Sequence, residues 1–149
     1  MPATPRPRFV ATTPERLRLA RTCYDRLAGT LGVAMHDAML RQGWFATAAD
    51  GGADLHANAD GDYRLSEGGA AACVSLGLDL AQAQRARRRF ACGCLDWSER
   101  RDHLGGALGA ALLAQLLGQG WLERDYSSRA LTVTRAGRRR FKAVFAIDA

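Results

Sequence analysis

The feature that most narrows what this chain can fold into is a gapless internal repeat. Shifted by 77 residues, Leu27 to Phe45 falls on Leu104 to Leu122 with nine of 19 positions identical. The shared residues are Leu27/Leu104, Gly29/Gly106, Leu31/Leu108, Gly32/Gly109, Ala34/Ala111, Leu40/Leu117, Gln42/Gln119, Gly43/Gly120 and Trp44/Trp121. Such self-similarity means that one supersecondary unit is used twice.

Each copy continues in the same manner. Tyr63-Arg64-Leu65-Ser66-Glu67-Gly68-Gly69 and Leu131-Thr132-Val133-Thr134-Arg135-Ala136-Gly137 both read as a short strand running into a helix. Ser66 and Thr134 suit the helix N-cap, where a hydroxyl accepts from the free amides of the first turn. Gly43 and Gly120 follow apolar helical runs, at the place where a left-handed residue ends a helix. Trp44 and Trp121 then enter a strand. In the second copy the hairpin is compact, running from Trp121 to Asp125, turning at Tyr126-Ser127-Ser128 and returning through Arg129 to Val133. In the first copy the turn is swollen by Ala49 to Gly61, a Gly-, Asp- and Ala-rich loop expected to be mobile.

Pro14 to Ala28 reads as an amphipathic helix, with Leu17, Ala20, Tyr24 and Leu27 at helical spacing. Leu104 to Leu122 reads as one uninterrupted helix whose part up to Leu117 has almost no polar face, so burial on all sides is expected. Gly106, Ala110, Ala114 and Gly118 recur every four residues along it. Small residues so placed let another helix approach closely, either the counterpart in the first copy or a second chain in a homodimer. The predicted unit is helix, helix, hairpin, helix. Its expected boundaries are a flexible tail over 1–13, a first repeat over 14–80 and a second over 81–149.

Composition restricts the setting. The longest apolar run, Leu104 to Leu117, falls short of the ~20 residues needed to span a bilayer, and the proline-rich N-terminus has no apolar signal core. Four cysteines, Cys23, Cys73, Cys92 and Cys94, lack the dense spacing of a secreted disulfide scaffold, so reduced thiols in the cytoplasm are expected. The net charge of +6 is uneven: residues 1–80 carry −1 and residues 81–149 carry +7. A basic half can be an electrostatic footprint for nucleic acid or a solvated face. No nucleophile elbow, zinc-hydrolase helix, phosphate loop or dinucleotide fingerprint is present, and three scattered histidines give little for acid–base work, so a non-catalytic protein is expected.

Three strings carry a family resemblance. Arg21-Thr22-Cys23-Tyr24-Asp25-Arg26-Leu27-Ala28-Gly29, Cys94-Leu95-Asp96-Trp97-Ser98-Glu99-Arg100-Arg101-Asp102-His103-Leu104 and Arg129-Ala130-Leu131-Thr132-Val133-Thr134-Arg135-Ala136-Gly137-Arg138 resemble the C-terminal half of a subgroup of ArsR-type winged-helix transcription regulators. The resemblance covers roughly residues 15–148. It implies an α+β, mainly α fold, a pseudo-two-fold tandem of winged-helix-like units, in a regulator whose separate N-terminal winged helix reads DNA. The residues agree that this half does not read bases. A reading helix presents polar or basic side chains, whereas Leu104 to Leu122 offers only Gln115 and Gln119. His36, Asp37 and Arg41 in the first copy include an acid that repels phosphate. The implied role is dimerisation and signal sensing, with DNA or a DNA-binding partner domain as a further partner.

Two sets of candidate residues remain. Cys92-Gly93-Cys94 places two thiols one residue apart, which suits a soft metal ion such as zinc, although a closed zinc site needs four ligands. The resemblance sets Cys23 against Cys94 and Asp25 against Asp96, with His103 following, so that these residues can converge about the pseudo-two-fold axis. The resembled motif usually has His where this chain has Arg26. A thiol or metal-ion sensor built on Cys23, Cys92, Cys94 and His103 is therefore an alternative to the regulatory module, and a purely structural dimerisation protein is another. For DNA, Arg124, Arg129 and the run Arg87, Arg88 and Arg89 can touch phosphates, which gives affinity without sequence information. His56 to Glu67 nearly fits a calcium loop, but His56 stands where the first carboxylate belongs, and the fit is read as accidental.

Overall fold

The computed structural model describes residues 15–46 and 62–149. The expected tail over 1–13, the loop Ala49 to Gly61 and the first half of the calcium-like stretch from His56 lie outside the described residues. Elements follow in the order α1 (Glu15–Leu19), β1 (Arg21–Cys23), β2 (Arg26–Ala28), α2 (Gly29–Arg41), α3 (Glu67–Ser75), α4 (Leu80–Arg85), β3 (Cys92–Leu95), β4 (Asp102–Gly105), α5 (Gly106–Gly118), β5 (Leu122–Arg124), β6 (Leu131–Val133) and α6 (Arg135–Phe145). The strands form three separate antiparallel hairpins, β1–β2, β3–β4 and β5–β6. The architecture is α+β and mainly helical, two winged-helix-like units in tandem.

The repeat in sequence is a repeat in space. Both α2 and α5 have 13 residues and start 77 positions apart, each directly after a strand. The strand-to-helix corner needs a left-handed backbone, which Gly29 (φ 82°) and Gly106 (φ 79°) supply without a Cβ penalty. At the other end Trp44 N donates to Met39 O at 3.0 Å, and Trp121 N to Leu116 O at 2.9 Å. The Ser66 hydroxyl accepts from Gly69 N at 3.0 Å and the Thr134 hydroxyl from Gly137 N at 2.8 Å, so both expected N-caps form.

The core is shared by the two copies. Helix α2 packs on β4 and helix α5 on β2, so each copy's helix lies against the other copy's hairpin. Leu31, Met35 and Met39 meet Leu108, Leu112 and Leu116 in one continuous cluster with Trp44, Trp121, Phe141 and Phe145. Trp44 stacks on Phe145 with ring centroids 5.6 Å apart, and Trp121 sets its edge to Phe141 at 5.0 Å. Each such large side chain taken out of water contributes about 1.5–3 kcal/mol, and these contacts join the halves.

Four expectations need correction. The helix expected over Pro14 to Ala28 is helical only over Glu15–Leu19, and Ala20 to Ala28 is a hairpin. Tertiary partners override the helical spacing there: Thr22 N donates to Arg129 O at 2.9 Å and Leu131 N to Ala20 O at 3.0 Å, tying β1 to the far end of the second copy. Leu104 to Leu122 is not one helix, because Gly106 and Gly120 (φ 75°) break it at both ends. Nor is α5 buried on all sides, since Ala114 and Gly118 are exposed and Ala110 and Ala111 half-buried. The predicted order within a unit also changes, because a hairpin precedes each long helix.

The stripe on α5 is divided between two settings. Gly106 is buried against the backbone of Arg89 and Phe90, whereas Ala110 and Ala114 line a groove with Ala83 of α4. The element packed along this part of α5 is α4 of the same chain.

Candidate functional site

Hairpins β1–β2 and β3–β4 meet near the pseudo-two-fold axis, and their pairing fixes which side chains face each other. Cys23 pairs with Arg26 across the first hairpin, and Cys94 with His103 across the second. Cys23 and Cys94 are thus equivalent positions, as are Arg26 and His103. The approach is allowed by two further equivalent residues that have no side chain. A Cβ at Gly32 of α2 would meet His103 Cβ at 3.4 Å, and one at Gly109 of α5 would meet Arg26 Cγ at 3.0 Å.

The result is a compact cluster. One ligand atom each from Cys23, Cys94 and His103 all lie within 4.8 Å of one another, with the cysteines half-buried and the histidine buried. The Arg26 guanidinium touches both sulfurs: Nη2 lies 3.4 Å from Cys23 Sγ and 3.6 Å from Cys94 Sγ. Burial pushes the Cys94 thiol above its usual range and the neighbouring Cys23 adds to this, with Arg26 opposing. All four cysteines are free thiols.

Behind the cluster stands a buried charge network. Asp96 and Arg21 are both wholly inaccessible and pair at 2.9 Å. Asp96 Oδ1 accepts from Arg21 Nη2, from the Ser98 hydroxyl at 2.7 Å and from Ser98 N at 3.0 Å. Its Oδ2 accepts from Gly29 N at 2.7 Å, at the N-terminus of α2, where the helix dipole favours an anion. Burial alone would raise the Asp96 carboxyl, but the bonds from Ser98, Gly29 and Arg21 outweigh it and hold the group far below the carboxylate range. The Arg21 guanidinium lies over the Trp97 ring, 4.3 Å from its centroid, and bonds Ser98 Oγ at 2.8 Å and Leu17 O at 3.0 Å.

Asp96 also sets the tautomer of His103, whose Nδ1 lies 3.1 Å from Asp96 Oδ2. Burial pushes the pKa of His103 down, against the pull of Asp96, and because the Asp96 carboxylate can only accept, Nδ1–H is the donor. In the neutral ring Nε2 carries the lone pair, and among the described residues that buried atom has no hydrogen-bond partner. A carboxylate behind an imidazole, with the far nitrogen free, is the arrangement by which proteins orient a metal-binding histidine.

Cys92, in the same strand as Cys94, is not among the clustered groups, and its sulfur lies beside Gly105. Cys73 lies apart in α3, buried, with its thiol pushed up to about 11 by burial. Of the arginines considered for phosphate contact, Arg88 pairs with Asp25 at 2.7 Å and Arg89 with Asp62 at 2.6 Å. Arg87, Arg124 and Arg129 are exposed. His36 of α2 is buried with Nε2 3.1 Å from Tyr63 Oη, and Asp37 pairs with Arg101 at 2.5 Å. Gln115 and Gln119 of α5 both donate to Leu76 O, at 2.7 and 2.9 Å.

Sequence reasoning missed the buried Arg21–Asp96 pair and the contact of Arg26 with both thiols. The only signal was an arginine and an aspartate near two cysteines, a pattern that surface residues share.

The chain is 38% identical over 126 residues to the Bacillus subtilis protein named uncharacterized HTH-type transcriptional regulator YdfF. The match takes in 85% of this chain and 51% of the relative, so the chain spans about half the length of that protein. No protein-family model matches the chain, and no solved structure does. Among the described residues no helix is long and apolar enough to cross a membrane.

Proposed function

We propose that this chain is the sensing and self-association half of a cytoplasmic transcription regulator, of the ArsR-like winged-helix kind, and not an enzyme. The observation that carries the reading is the 38% identity to a protein named as an HTH-type transcriptional regulator over half of that protein's length. In this reading DNA is read by another part of the whole regulator or by a partner. The helices that would serve as recognition helices here are occupied internally. Gln115 and Gln119 donate to Leu76, His36 is buried, and Asp37 of α2 is engaged with Arg101.

Residual DNA contact falls to Arg87, Arg124 and Arg129, which touch phosphates without reading bases. A mobility-shift titration against two unrelated duplexes tests this. Binding is expected to be weak, indifferent to sequence and steeply reduced between about 50 and 200 mM salt. Tight binding to one duplex alone would overturn the assignment. Self-association is tested separately by sedimentation of the reduced chain. A homodimer is expected, and a monomer at all concentrations would remove that part of the proposal.

A further inference from the structure

The geometry points to a binding site for one soft, monovalent d10 ion, of the Cu(I) type, held by Cys23 Sγ, Cys94 Sγ and His103 Nε2 with Arg26 as a fixed counter-cation. That occupancy serves as a signal rests on the regulatory reading above. The binding itself does not.

Four observations converge. One ligand atom from each of Cys23, Cys94 and His103 lies within 4.8 Å of the others, as a shared ion requires. His103 Nε2 is a buried lone pair with no partner, on a ring only 1% exposed. Asp96 fixes that ring through Nδ1 and is itself fixed by Arg21, Ser98 and Gly29, so the donor is oriented before any ion arrives. Arg26 Nη2 stands beside both sulfurs, 3.4 Å from Cys23 Sγ and 3.6 Å from Cys94 Sγ.

Arg26 decides the kind of ion. Symmetry of the two hairpins would put a second imidazole opposite His103 and complete a tetrahedral set of two sulfurs and two nitrogens, the arrangement zinc favours. In this chain that position carries a guanidinium, which is always protonated and has no lone pair to donate. Three ligands remain, which suits trigonal coordination by a thiolate-seeking monovalent ion. Charge agrees. Two thiolates, one monovalent ion and one guanidinium sum to zero, and the pair Arg21 and Asp96 is neutral on its own. A divalent ion would leave an uncompensated positive charge in a half-buried site. On binding, each thiol loses its proton to solvent and gives a sulfur lone pair to the ion, while neutral His103 gives Nε2 and releases nothing. Two protons leave per ion bound, and no oxidation state changes.

The test is an anaerobic titration of the reduced chain with Cu(I) buffered by a coloured Cu(I) chelator, alongside titrations with Zn(II) and Co(II). One Cu(I) per chain is expected, with a thiolate-to-copper absorption in the ultraviolet. Cys23→Ser and Cys94→Ser should each weaken binding by more than the roughly 10–100-fold that loss of an outer partner costs. His103→Gln should weaken it while leaving the sulfur absorption in altered form. The second arm converts the site. Arg26→His supplies the missing nitrogen and should create tetrahedral Co(II) bands in the visible, together with Zn(II) binding, neither of which is expected of the unaltered chain.

Tetrahedral Co(II) in the unaltered chain would overturn the monovalent assignment. Cu(I) retained by the doubly substituted cysteine variant would overturn the site. Failure to take Cu(I), with Cys23 and Cys94 instead joining in a disulfide under mild peroxide, would make the pair a redox couple and overturn the metal proposal. Any of these outcomes leaves the regulatory reading to its own DNA test.

Discussion

Hairpins β1–β2 and β3–β4 stand at equivalent places in the two halves, each bearing a cysteine and a C-x-D triplet, yet their acids have opposite fates. The first hairpin turns in two residues, Tyr24 and Asp25, and Asp25 stays exposed beside Arg88. The second turns over the six residues Asp96 to Arg101, and Asp96 is drawn wholly under the loop. There it meets Arg21 from the first half, Gly29 of α2 and His103 of its own hairpin. The longer turn accompanies the buried acid, whose partner Arg21 has Cys92 as its counterpart in the second hairpin. The difference teaches that a duplicated backbone can be specialised by lengthening one connection while the packing around it remains.

The strongest way to break this comparison is to remove each acid in turn. Asp96→Ala strands Arg21 in the interior and is expected to cost about 3–5 kcal/mol. Asp25→Ala removes a solvent-exposed pair and should cost no more than about 1 kcal/mol. Denaturant unfolding of both variants measures the contrast, and comparable losses would show that Asp96 is not the specialised partner.

Next come the glycines that begin the last helix of each copy. A Cβ at Gly69 would press on Trp44 O, and one at Gly137 on Trp121 O, at equivalent places. Gly69→Ala and Gly137→Ala are each expected to lose about 1–3 kcal/mol by overpacking. Thermal unfolding that finds one costly and the other neutral would mean that the second parts of the copies are less alike than their backbones.

Smaller still are the caps. Ser66→Ala and Thr134→Ala should each cost about 1 kcal/mol, read from the shift in denaturant midpoint. A marked inequality between them would locate the less stable half.

The least effect belongs to the β5–β6 turn of the second copy. Hydrogen bonds from Ser127 and Ser128 hold the Asp125 carboxyl down to about 2, against about 3.9 in an unfolded chain. Because the folded value is the lower one, the contribution is complete above about pH 4 and is lost as pH falls through about 2. Side-chain carboxyl NMR should find that low midpoint, and Asp125→Asn should abolish the corresponding slope in stability. A midpoint near 3.9 would show that the turn does not grip the acid.

The fold was legible where spacing was rigid. Gly29/Gly106, Gly43/Gly120 and Trp44/Trp121 mark both ends of the two long helices because a left-handed corner and a buried indole tolerate few substitutes. The preceding hairpins were not legible. Their turns differ in length, so the 77-residue register that matches Arg26 to His103 fails to match Cys23 to Cys94, and the apparent helical spacing of Leu17, Ala20, Tyr24 and Leu27 concealed a strand. Of the site, the cysteines and His103 could be picked out by residue type and by family resemblance. The Arg21–Asp96 pair could not, because its meaning lies in burial across 75 positions of sequence, and a charged residue in sequence reads as surface.

The corner at Gly29 and Gly106 has a mechanical consequence. With no loop between strand and helix, each hairpin and the helix after it are one stiff piece, and the helix acts as a lever on whatever moves the strand. A helix of 13 residues is about 20 Å long, so a tilt of roughly 5° at the hairpin carries its far end by about 2 Å. At those far ends lie Trp44 and Trp121, whose indoles would register the displacement as a change in fluorescence.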